Sequence, residues 1–127
     1  MNFLSKIILP IFIATTWISV SEFARNEFLL KTHWVKHYEN LGMIFPSSSV
    51  NGAVWGIWSL SYSISIFIVS RRFSLLETFF LCWFFGFVLM WLVIGNMGVL
   101  PYSILYIAIP LSLLETFVAA FIIQKLS

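Results

Sequence analysis

Asn51, Glu77, Asn96 and Glu115 stand within, or at the ends of, long apolar runs. Carboxylates and amides in such surroundings can bind an ion, hold a proton or orient a polar ligand. They cost enough in hydrocarbon that function is their default explanation. Glu115 is the sharpest case. It precedes Lys125 by ten residues, about 15 Å along a helix axis, which places it near mid-membrane. Pro110 lies just before it, removing one helix hydrogen bond and freeing the carbonyl of Tyr106. Ala108, Ser112 and Ala119 share its helical face, and a carboxylate on a small-residue face points into a bundle rather than at lipid. Two roles fit: the titratable group of a site, or a glutamic acid that glues two helices together.

Glu77 has a strong structural alternative. Ser74-Leu-Leu-Glu77 is a capping box, in which the carboxylate meets free backbone N–H groups at a helix start. As a site residue it would stand near the inner exit. The five residues from Ser74 recur as Ser112-Leu-Leu-Glu-Thr116. The two glutamates differ in depth, so the repeat is read as chance.

Asn51, Trp55, Trp58 and Tyr62 follow at spacings of four, three and four, one face of a helix. In the third apolar run Glu77, Phe84 and Trp91 lie close to one face, with Asn96 at the end. Two aromatic faces turned inward would line a small-molecule pocket with a few polar groups. The expected ligand- or ion-binding set is therefore Glu115, Glu77, Asn51, Trp55, Trp58, Tyr62, Trp91 and Asn96. The competing explanation is an interfacial aromatic belt together with ordinary packing.

His33 and His37 are spaced as two ligands on one helix face, but a zinc site needs three or four ligands and these are the only histidines. No metal and no cofactor is expected. Histidine-rich di-iron enzymes are excluded, and no nucleophile motif, Walker loop or dinucleotide fingerprint is present. Cys82, the single cysteine, excludes an internal disulfide and is expected to be a small buried hydrophobe.

The elements that must position these residues follow from composition. Of 127 residues, 61% are hydrophobic and 9% charged, against about 45–50% and 25% in soluble domains. A soluble chain this short could not hide that much apolar surface. Soluble enzymes, nucleic-acid binders and disordered tails are excluded. The expected fold is an all-α integral membrane four-helix bundle, a single membrane domain over 1–127 with spans at about 3–20, 50–70, 74–97 and 102–124. An extra amphipathic, extracytoplasmic helix at about 21–42 is expected between the first two spans, extending the first or lying in the interface. Its stripe is Phe23, Leu30, Trp34 and Leu41, with Gly42 and Pro46 ending it. Ser47, Ser48 and Ser49 offer caps for the second span. Lys6 followed by Ile7–Ala14 resembles a signal peptide, but Ser19 and Ser21 make a poor cleavage context and an uncleaved first helix is expected.

Lys6, Arg71, Arg72 and Lys125 fall on one side of the membrane, and Arg25, Lys31 and Lys36 on the other. This weak bias places both termini in the cytoplasm, with a bacterial inner membrane as the expected location. The leading function is binding or transport of a small molecule or ion through a pocket with a titratable glutamate. The second is a non-catalytic assembly subunit whose partners are lipids and another copy or membrane protein. These would dock through Gly52, Gly56, Ser59 and Ser63 or through Ala108, Ser112, Thr116 and Ala120. A lipid-modifying enzyme ranks last.

Overall fold

Residues 2–127 are described by a computed structural model, and no strand occurs among them. Four helices are long and apolar enough to cross a membrane: α1, Leu4–Leu29; α3, Ser49–Ser70; α4, Leu75–Asn96; and α5, Tyr102–Leu126. A short helix, α2, covers Lys31–Asn40. Large apolar side chains such as Phe12, Ile57, Leu92 and Tyr106 project outward from the long helices, as a lipid-facing exterior requires.

Local chemistry sets the ends of these helices. At the start of α3, Oδ1 of Asn51 accepts from the backbone N–H of Ser48 at 3.0 Å and from its hydroxyl at 2.8 Å. At the start of α4, Glu77 accepts from the N–H of Ser74 at 2.9 Å while the Glu77 N–H donates to the Ser74 hydroxyl at 3.2 Å, a reciprocal cap. Gly42 and Gly98 take φ of +75° and +79°, the left-handed geometry that closes a helix C-terminus. The following N–H groups turn back accordingly, Met43 to Tyr38 and Val99 to Ile94.

α5 is the central element. It packs against α1, α3 and α4, while α1 also packs on α3 and α3 on α4. Its buried stripe runs Ala108, Ser112, Glu115, Thr116, Ala119, Ala120 and Ile123. These small residues let three neighbours approach. The core between them holds Ala14 and Ile18 of α1, Tyr62 and Ile66 of α3, and Cys82 and Phe87 of α4.

α1 departs from the expected boundary at Val20. The helix continues to Leu29, and only Lys31–Asn40 forms a separate element. The reason is that Glu22, Arg25 and Asn26 find polar partners inside the bundle. The chain need not leave the membrane to solvate them. The expected stripe also divides. Leu30 and Trp34 pack against Leu100, Ile104 and Ala108, whereas Phe23 and Leu41 are exposed. A π-turn over Ala24–Leu29 and a break at Leu30 (φ −116°) shift the helical register between them.

Candidate functional site

The polar centre of the bundle is built by α1 and α5. The buried stripe of α1 runs from Ala14 and Ile18 directly into Glu22 and Arg25. α1 and α5 lie against one another and run in opposite directions. Helical side chains lean toward their own N-terminus. Arg25 therefore leans toward the middle of the bundle, and Glu115 leans toward Arg25. The two meet at 3.1 Å, Nη1 donating to Oε1. Nη2 of Arg25 donates to Oε1 of Glu22 at 2.6 Å, and Asn26 donates to Oε2 of Glu22 at 3.1 Å. Arg25, Glu22 and Glu115 retain only 6%, 5% and 1% of their exposure.

Two carboxylates thus share one guanidinium. A fully ionised triad carries one uncompensated negative charge, and Oε2 of Glu115 is buried without a hydrogen-bond partner among the described residues. Native structures rarely leave such an oxygen unsatisfied. Tryptophans fix the surrounding helix. Trp17 of α1 donates to the backbone carbonyl of Glu115 at 2.9 Å, and Trp83 of α4 donates to the Ser112 hydroxyl at 2.9 Å. One residue beyond Glu115, Thr116 meets the Tyr62 hydroxyl at 3.1 Å, which also donates to the carbonyl of Cys82 at 2.8 Å.

A cavity of about 30 Å³ opens beside the triad, enough for about one water molecule. Glu22, Arg25 and Asn26 form its polar wall, and Trp34, Trp55, Trp58 and Trp91 with Phe87 form much of its aromatic wall. The Arg25 guanidinium lies 5.4 Å from the Phe87 ring centre, within cation–π range. Trp58 stacks on Tyr62 at 4.9 Å.

The structure therefore brings Trp55, Trp58 and Trp91 to one cavity and sets Glu115 behind Arg25, on the far side of the polar wall. Tyr62 lies deeper, sealed in the core. Glu77 and Asn51 are occupied in helix caps at their own helix starts, and Asn96 is exposed at the end of α4. None of these three lines the cavity. His33 Nδ1 meets the Ser103 hydroxyl at 2.8 Å, and His37 Nε2 donates to the Gly98 carbonyl at 2.8 Å. These bonds tie α2 to the first turn of α5 and to the α4–α5 turn, respectively. No group of three or more metal-ligating side chains occurs among the described residues. Ser59, Ser63, Ala108, Ser112, Thr116 and Ala120 are buried within the bundle, whereas a Cβ at Gly52 or Gly56 would meet nothing within 4 Å.

Sequence reasoning missed Arg25 and Glu22 as site residues. The available signal was periodic: Ala14, Ile18, Glu22 and Arg25 follow at four, four and three, so the charges continue the apolar face. Compared with known protein families, curated proteins and solved structures, the chain matches none.

Proposed function

We propose that this chain is a small polytopic membrane protein that binds, or carries across the membrane, a small molecule or ion at the cavity beside the Arg25–Glu22–Glu115 triad. One observation carries the reading. Three charged side chains are buried together on apolar helices, next to an aromatic cavity. Charges so placed in a membrane helix bundle mark ligand sites and ion pathways more often than scaffolding. Glu115 is the titratable group, Glu22 and Arg25 present charge to the cavity, and Trp55, Trp58 and Trp91 line it. Of the other expected residues, Tyr62 backs the cavity by packing against Trp58 and Phe87, while Glu77, Asn51 and Asn96 have no part in this site.

The orientation proposed has both termini in the cytoplasm of a bacterial inner-membrane protein. Arg25 points into the bundle and drops out of the basic-residue count. Lys31 and Lys36 then face four basic residues on the opposite side, a clearer bias under the positive-inside rule.

Native mass spectrometry of the protein released from lipid nanodiscs tests the binding reading, wild type beside Glu115→Gln. A small molecule or ion retained by the wild type and lost from the variant is expected. A bare chain in both overturns it.

A second reading, an assembly subunit, is favoured by the open face at Gly52 and Gly56, which would admit another helix closely. Gly56→Leu should then dissociate the assembly. An unchanged oligomeric state in that variant removes this reading.

A further inference from the structure

We infer that α2 is a lid on the cavity, hinged at Leu30 and latched by His33 and His37; this rests on the cavity being the binding site. As it stands the cavity holds about 30 Å³, room for about one water molecule. To admit anything larger, a wall must move. Four walls come from α1, α3, α4 and α5, which pack on one another. The remaining wall is Leu30 and, on α2, Trp34. No residue of α2 is buried. Segments with few buried apolar contacts are the ones that open locally.

The hinge is built into the backbone. The Leu30 N–H donates to the Arg25 carbonyl at 2.9 Å, closing the π-turn, and at φ −116° Leu30 leaves the path of α1. The Trp34 N–H then takes up the Leu30 carbonyl at 3.1 Å and α2 begins. π-turns inside helices are frequent at functional sites, and residues at element ends absorb lid motion. Leu30 itself is wholly buried against Leu100, Ile104 and Ala108, so the pivot stays anchored while the helix beyond it turns. The Lys31–Glu27 pair crosses the hinge at 3.1 Å, but it is exposed and holds little.

Beyond the hinge α2 moves as one piece. Trp34 stacks on Phe45 at 5.8 Å, and Tyr38 meets the same ring edge-on at 5.1 Å. Residues 43–47 lie in no helix and leave slack before α3. The latch is polar and exposed: His33 Nδ1 to the Ser103 hydroxyl and His37 Nε2 to the Gly98 carbonyl, both at 2.8 Å. Each such bond shifts an opening equilibrium about two- to tenfold, enough to hold a lid shut without fixing it.

Ala108 reports the opening, since it is 2% exposed and lines the cavity. The full chain carrying Ala108→Cys, in nanodiscs, is treated with sulfonatoethyl methanethiosulfonate, which stays in water, and labelling is followed by intact mass. Labelling should be slow, and about tenfold faster when His33→Ala and His37→Ala are added together. Cys82, buried in the bundle core, should stay unlabelled throughout, which separates lid opening from a folding defect. An unchanged rate without the histidines overturns the inference. So does labelling of Cys82 alongside, or a thiol at position 108 already as reactive as one from Ser47→Cys. Faster labelling in a chain that retains no ligand in native mass spectrometry would leave the lid standing and remove the binding reading. Retained ligand with an unchanged labelling rate would do the reverse.

Discussion

Nη1 of Arg25 and Oε1 of Glu115 lie 3.1 Å apart across 90 residues of sequence, both side chains almost wholly buried. This contact joins the outer part of α1 to the middle of α5. Glu22 on the other nitrogen of Arg25 closes the triad. The arrangement depends on the planar fork of arginine, which reaches both carboxylates at once.

Arg25→Lys should therefore be destabilising although it keeps the charge. A single ammonium replaces two divergent nitrogens. Leaving one buried carboxylate without its partner costs about 1–3 kcal/mol. Unfolding by SDS titration of wild type and variant in mixed micelles measures this, and equal midpoints would contradict it.

Gly86→Ala should destabilise by about 1–3 kcal/mol, the usual cost of overpacking. A Cβ there would stand 2.5 Å from Cε1 of Tyr62. The ring cannot step aside without losing its bonds to Cys82 and Thr116. Gly52→Ala is the control: nothing lies within 4 Å, and the alanine should be neutral or stabilising by up to about 1 kcal/mol. Thermal unfolding of the two variants side by side decides it.

Ser74→Ala should cost about 1 kcal/mol by removing the N-cap of α4. It should leave ligand retention in native mass spectrometry untouched, since Ser74 and Glu77 cap a helix outside the cavity. Loss of ligand in this variant would put Glu77 back at the site.

Much of this fold is legible in the sequence for identifiable reasons. Hydrophobic runs the length of a bilayer mark α3, α4 and α5. Ser48 and Ser74 mark helix starts because their side chains and those of Asn51 and Glu77 satisfy local donors. The stripe of small residues predicts that Glu115 faces inward, and it is buried. The partner of Glu115 was not legible. A charged segment such as 21–27 reads as solvated when taken alone, and only the packing of α5 against α1 shows that Arg25 has an internal acceptor. The trio Trp55, Trp58 and Trp91 could be assigned to faces from spacing. Their convergence on Glu22 and Arg25 depends on how the helices are rotated against each other, which no local pattern encodes. Asn51 and Asn96 show how an amide near a span end can be accommodated without a ligand. An amide near a span end looks expensive, yet one serves a cap and the other is exposed.

Orientation can be checked by labelling with a membrane-impermeant maleimide. In Ser47→Cys and Arg72→Cys, the introduced thiols should react from opposite faces of sealed membranes, residue 72 from the cytoplasmic side. Cys82 is buried and should stay silent in the parent protein. Reaction of both introduced thiols from one face would contradict the four-span topology.

The central claim is that Arg25 and Glu115 interact directly within the membrane bundle, and a double-mutant cycle measures that most directly. Arg25→Met, Glu115→Gln and the double variant are unfolded under identical conditions in lipid. Arg25→Met should be the worst of the three, about 3–5 kcal/mol, because it strands two carboxylates together. Adding Glu115→Gln should recover part of that loss, giving a coupling energy above about 1 kcal/mol. Strictly additive effects, with no coupling, would contradict the account.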